Sequence, residues 1–310
     1  MTTYISTNNN KWLALTAGFA IAAIGATAPT ASAATYTLDF ATGADGGSVL
    51  YNANVTLQTD QWASWGLTNI SGDNKRDGIG DALFNTYDTA YNTSRGQTTN
   101  LRHQDDRDDD LRTGSNWGTA DQGNVLIIQE QNWRNKNIFN NTGAYTADDE
   151  GEGGYVDFDF AEAMAFNSFS MLDIDDNGGG IMVEGQKADG SLFRVDVDAL
   201  MELHRNTNGY GDDDWNTSAQ GTSVALGGVT MTQVGTKQGN NSMFRFDVDE
   251  THLTSVRFSY PGSGAISGLE WSTIEDDGPQ EIPEPSAMLG LLMLGLAGKR
   301  LKRNRDTATV

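Results

Sequence analysis

Five stretches of the chain alternate apolar and polar residues strictly: Val156-Asp157-Phe158-Asp159-Phe160, Leu172-Asp173-Ile174-Asp175, Val195-Asp196-Val197-Asp198, Phe244-Arg245-Phe246-Asp247-Val248-Asp249 and Val256-Arg257-Phe258-Ser259-Tyr260. A period of two places all the apolar side chains of a segment on one face of an extended strand and the polar ones on the other. A helix cannot use that pattern, because its faces repeat every 3.6 residues. Val125-Leu126-Ile127-Ile128 is apolar throughout and predicts a strand buried on both faces. All five prolines (Pro29, Pro261, Pro279, Pro283, Pro285) fall outside residues 30–260, as inner strands that need every backbone donor require. The 36 glycines supply tight turns between the strands. Outside the two ends, helical periodicity is limited to a short turn over Asp198 to His204. The expected fold is all-β, an antiparallel β-sandwich of jelly-roll type in a single domain over residues 34–277.

Charge narrows the partners. With 42 Asp and Glu against 20 Lys and Arg, the net charge is −22, a field that repels nucleic acid and anionic membrane surfaces. Divalent cations, basic partners and neutral glycans remain compatible with it. Cysteine is absent, so neither a disulfide framework nor a thiolate metal site exists.

The two ends differ from the body. Lys11, the apolar run Leu13 to Ala26 and Thr30-Ala31-Ser32-Ala33-Ala34 form a cationic start, an apolar core and an Ala-x-Ala cleavage site. Residues 1–33 therefore read as a secretory signal peptide cut by signal peptidase after Ala33. At the other end, residues 278–310 comprise a linker, Pro283-Glu284-Pro285, an apolar stretch within residues 286–298, and the basic run Lys299-Arg300-Leu301-Lys302-Arg303. The eleven residues Ala287 to Ala297 make only about 16 Å of helix, short of the ~30 Å hydrocarbon core. The basic cluster holds that end at the cytoplasmic face, and the prolines stop the helix from running into the acidic body.

Pro-Glu-Pro, a short apolar helix and a basic end, paired with a signal peptide, resemble the PEP-CTERM sorting signal. The resemblance implies processing by an exosortase, a membrane protease of Gram-negative bacteria that make exopolysaccharide, with cleavage at or near Pro283, Glu284 and Pro285. It also implies a precursor held in the inner membrane by residues 286–298 and a mature protein at the cell surface or in the extracellular matrix. The body resembles a recurrent PEP-CTERM ectodomain through Trp62-Ala63-Ser64-Trp65-Gly66-Leu67, Asp108-Asp109-Asp110-Leu111, Gly123-Asn124-Val125-Leu126-Ile127-Ile128, Leu172-Asp173-Ile174-Asp175 and Gly262-Ser263-Gly264-Ala265-Ile266. That resemblance implies a jelly-roll sandwich similar to carbohydrate-binding modules.

Asp173-x-Asp175-x-Asn177-Gly178, followed by Glu184, satisfies the calcium-loop template, with oxygen ligands at alternate positions, a glycine at the sharp turn and a late carboxylate. The same residues fit a hairpin turning at Asn177-Gly178, which would pair Asp175 with Gly180 and Asp173 with Met182 and put Leu172, Ile174, Ile181 and Val183 on one face. Both readings stand, and calcium is the only cofactor the sequence suggests. The loop Asp73 to Asp81 has similar spacing but carries Lys75 where an oxygen donor belongs.

Nothing local marks an enzyme. His103, His204 and His252 are too scattered to form a metal pair, Gly-x-Ser-x-Gly does not occur, and carboxylates are too abundant to single out a catalytic pair. Trp117, Trp133 and Trp215 lie in polar, Asn- and Gly-rich surroundings, where an aromatic ring could stack on a sugar while neighbouring amides and carboxylates bond its hydroxyls. The sequence thus predicts an exported, non-catalytic glycan-binding or adhesion module at the cell envelope or in the exopolysaccharide matrix. The alternative is a calcium-dependent structural matrix protein, with a secreted glycan hydrolase third.

Overall fold

The computed structural model describes residues 33–50, 57–75, 84–89, 120–129, 149–174, 179–208, 220–236 and 242–274, together with Ala82, Leu111, Thr113 and Gly114. The leader through Ser32 and the tail with Pro283, Glu284 and Pro285 lie outside them. The strands are β1 (Thr35–Leu38), β2 (Leu67–Asn74), β3 (Phe84–Asp88), β4 (Asn124–Ile128), β5 (Gly154–Leu172), β6 (Met182–Lys187), β7 (Leu192–Asp196), β8 (Ser223–Leu226), β9 (Val229–Thr236), β10 (Ser242–Tyr260) and β11 (Ala265–Thr273). Among the described residues there is one α-helix, α1 (Val197–Asn208), between β7 and β8.

The protein is an all-β antiparallel sandwich, and two long strands build both of its layers. The first half of β5 pairs with β2 and with the second half of β10, which in turn pairs with β6, and β6 with β7. The second half of β5 pairs with β11 and with the first half of β10, which continues to β9 and β8, while β1 and β4 share the far edge of β11. Register shifts interrupt the β5–β10 ladder between Asp247 and Ser255. There His252 adopts φ +66, and the extra residues turn the ribbon from one layer into the other. The alternating segments 244–249 and 256–260, separate in the sequence pattern, are thus two halves of one bent strand.

The sandwich therefore has two dissimilar poles. At the bend pole lie the middle of β5, the end of β11 and the start of β1, where Thr273 pairs with Met164 and Thr35 with Ser272. At the loop pole, the four residues between Tyr260 and Ala265 link β10 in one layer to β11 in the other. Gly264 N–H donates to Asp149 there, at 2.8 Å.

Between the layers, Phe169 stacks on Phe246 at 4.5 Å and meets Phe258 edge-on at 5.1 Å; Phe258 in turn meets Phe158 at 5.5 Å. Phe158 and Phe258 come from one layer, Phe169 and Phe246 from the other. Each such aromatic pair adds about 0.5–1.5 kcal/mol beyond the area it buries. The apolar run at β4 is buried on both faces, as its composition predicts. Leu126 and Ile128 enter this core, whereas Val125 and Ile127 pack on the opposite side with Tyr87, Leu172, Met243 and Ala265.

The alternation at Val195 to Asp198 does not continue as a strand. Asp196 Oδ1 accepts from the Ala199 N–H at 2.9 Å and so opens α1 at Val197. Val197, Leu200, Met201 and His204 are buried at helical spacing. Asp198 leaves its expected strand position and accepts from the N–H groups of Gly180 and Ile181.

Candidate functional site

The calcium template is divided by the fold. Leu172 pairs with Met243 and Ala265, while Met182 pairs with Ser259 and Asp196, so β10 lies between β5 and β6 and the expected pairing of Asp173 with Met182 does not form. The apolar residues of that reading are buried as expected, but on two layers of the sandwich instead of one hairpin face. Asp173, buried and at φ +57, lies at the loop pole with its carbonyl against Gly264. Glu184 faces outward from β6 and binds Arg194 at 2.7 Å. Asp175 and Asn177 lie outside the described residues. Among the described residues, no group of three or more His, Cys, Asp or Glu side chains is placed to hold a metal ion.

An aromatic cleft occupies the bend pole. Trp62-Ala63-Ser64-Trp65 makes a single 3₁₀ turn over Ala63–Trp65, closed by Gly66 at φ +85, whose N–H donates to the Ala63 carbonyl at 3.0 Å. A side chain with a Cβ rarely adopts that φ, which explains the glycine directly after Trp65. The turn sends its two indoles in opposite senses. Trp62 is buried, donating from Nε1 to the Thr42 carbonyl at 2.9 Å and meeting Phe40 edge-on. Trp65 stays half-buried and stacks on Tyr36 at 5.8 Å with 22° between the rings.

Tyr36 is the register partner of Trp271, and their rings lie 5.7 Å apart. Trp271 is buried; its Nε1–H donates to the Trp65 carbonyl at 3.2 Å, and Phe160 packs on its other side at 5.5 Å. These rings form the floor of a cavity of about 280 Å³. Ser64 and Glu162, both exposed, bring a hydroxyl and a carboxylate to its rim, and among the described residues no Lys or Arg lines it. The cleft is thus a half-exposed aromatic surface beside hydrogen-bonding groups, small enough to take one ring of a larger molecule.

A second depression, about 380 Å³, runs over the outer face of β5, β10 and β6. One cross-strand rung, Asp157–Arg257–Glu184–Arg194, alternates in charge across four strands. Arg257 donates to Asp157 from Nε at 2.6 Å and from Nη2 at 2.7 Å, and its guanidinium lies 4.0 Å above the centre of the Tyr155 ring. The hydrogen bonds to Asp157 raise the pKa of Arg257 above its ordinary value. Asp157 and Glu184 flank Arg257 from the strands on either side of it. Each is engaged by a guanidinium. This face is a salt-bridged polar surface.

No protein family, curated protein or solved structure matches the chain. Its site must be read from its own geometry.

The stacking candidates Trp117, Trp133 and Trp215 lie outside the described residues. Among those described, the half-exposed aromatic pair comes instead from Tyr36 and Trp65, over Trp271. The two tryptophans three apart, followed by glycine, were the local signal available in the sequence. No local pattern joins them to Tyr36 or Trp271, which reach the cleft only through the pairing of β1 with β11.

Proposed function

We propose that this protein is an exported, non-catalytic glycan-binding module of the cell envelope or exopolysaccharide matrix. The observation that carries the reading is the cleft in which Tyr36 and Trp65 present a half-exposed aromatic surface beside Ser64 and Glu162. A sugar ring offers an apolar C–H face to such a surface and hydroxyls to such a rim. With Glu162 at the edge, no cation among the described lining residues and a net charge of −22, the favoured glycan is neutral or amino-bearing, and uronate-rich chains are repelled. Leader removal by signal peptidase and tail processing by an exosortase at Pro283-Glu284-Pro285 deliver the protein to that matrix. Both steps rest on the sequence of the two ends.

The test is retention of the protein on neutral and uronate-rich polysaccharide matrices, with Trp65→Ala as the comparison. Retention on the neutral matrix, weakened at least tenfold by Trp65→Ala and unchanged by Leu192→Ala on the other depression, is the expected result. Equal retention of the wild type and Trp65→Ala would remove the cleft from the function.

A further inference from the structure

The residues that line the bend-pole cleft have committed their hydrogen-bond donors to the fold. The N–H groups of Ala63, Trp65 and Gly66 donate to the carbonyls of Asp60, Trp62 and Ala63 at 3.2, 2.9 and 3.0 Å. Ala161 N–H donates to the Gly66 carbonyl and Thr273 N–H to the Ala34 carbonyl, both at 2.9 Å. Trp271 Nε1–H is engaged by the Trp65 carbonyl, and Thr273 Oγ1 accepts from the Ala34 N–H at 2.9 Å. Each of these donors except the Ala34 N–H belongs to a residue lining the cleft. A ligand that brings only acceptors would have to compete with bonds already made.

What the cleft offers in their place is electron density. Trp271 is tilted 56° from Trp65 and 62° from Phe160, so the rings form walls of one concave site instead of a flat stack. Aromatic faces carry the negative part of the ring quadrupole and attract a cation placed against them. Glu162 adds an exposed carboxylate, and among the described lining residues it is the one charged side chain. Ser64 supplies a hydroxyl that can donate or accept.

We infer that the cleft selects the protonated amine of an amino sugar, with the ammonium held against the Tyr36–Trp65 aromatic surface and paired with Glu162. The inference rests on the glycan reading above and names the class of sugar taken at that same site. An ammonium group has three donors and no acceptor, which complements a lining whose own donors are engaged. An N-acetylated sugar of the same shape keeps its apolar face but brings no charge to the rings or to Glu162. The net charge of −22 draws cationic chains toward the whole molecule, whereas the cleft decides where the amine is seated.

The test is calorimetric titration of the full chain, held in non-ionic detergent at physiological salt, with a glucosamine tetramer and with its N-acetylated counterpart. The amine form should bind about tenfold more tightly. That preference should disappear as the pH rises through the titration of the probe's own amine. Glu162→Gln should reduce it to about twofold or less. Glu152→Gln, which removes an equal charge from the exposed turn before β5, should preserve it.

Equal affinity for the two tetramers would overturn the inference and leave the glycan reading standing. A preference that survives Glu162→Gln, or that falls as far in Glu152→Gln, would assign it to the charge of the whole chain and overturn the site. Binding of neither tetramer would overturn the glycan reading and this inference with it.

Discussion

The bend-pole cleft and the outer face of the β5–β10–β6 sheet are built by opposite means. The charged rung Asp157–Arg257–Glu184–Arg194 lies on neighbouring strands, and its members are those that simple alternation sends outward. The aromatic set of Tyr36, Trp65, Phe160 and Trp271 comes from four segments, and the pairing of β1 with β11 sets Tyr36 beside Trp271. The polar rung keeps a broad face soluble at little energetic consequence, while the aromatic pole combines core packing with an open contact surface. Their responses to substitution should therefore separate cleanly.

The largest effect is expected at Trp271. This indole is buried and bridges Phe160, Tyr36 and the Trp65 carbonyl, so Trp271→Ala should destabilise the fold by about 3–5 kcal/mol. Urea denaturation checks this, and a loss under 1 kcal/mol would mean that the bend pole is not part of the cooperative core. Trp65→Ala should cost far less stability, about 0.5–1.5 kcal/mol from the lost stack on Tyr36. Its glycan retention should nevertheless fall at least tenfold, so that binding and stability part company at this residue.

A pH titration gives a reference independent of both depressions, since no histidine is among the described residues that line either of them. His204 is buried in α1, 2.9 Å from Thr222 Oγ1, and burial lowers its pKa below the ordinary value. The unfolded chain therefore takes up the proton first. The stabilising contribution is complete above about pH 6.5 and is lost as pH falls through and below that value. Substituting His204→Asn should flatten this slope in thermal unfolding between pH 7 and 5, whereas Trp65→Ala should leave it unchanged. A slope that survives His204→Asn would assign the proton uptake elsewhere.

The smallest effect belongs to the polar rung. Arg257 and Asp157 are partly exposed, and water and salt screen their pair, so Arg257→Ala should alter stability by no more than about 1 kcal/mol. Glycan retention should stay at the wild-type value. A larger loss of either would place the second depression in the function beside the cleft.

Much of the sandwich is legible in the sequence. Period-two alternation placed Val156, Phe158 and Phe160 inward and Asp157 and Asp159 outward, and the apolar run at β4 announced burial on two faces. Those inferences depend only on the pleat of a strand, which every residue in it shares. Three things were not legible. The alternation at Val195 to Asp198 gave no sign that Asp196 would cap a helix, because capping depends on where the chain must turn. Asn177-Gly178 suggested pairing between β5 and β6, yet β10, far along the chain at Ser242–Tyr260, takes the place between them. The aromatic cleft was the third, because only the pairing of β1 with β11 brings Tyr36 beside Trp271.

The sequence by itself determined the all-β class, the inward and outward faces of the strands and the net charge of −22, because each follows from local geometry or from charge summed over the chain. Tertiary structure alone decided which strands are neighbours, that Asp173 and Glu184 are divided between the loop pole and an outer face, and that Ala34, Thr273 and the aromatic cleft share one pole. Those outcomes depend on long-range pairing and on the bulged bend of two strands, and no short window of sequence contains both partners of either.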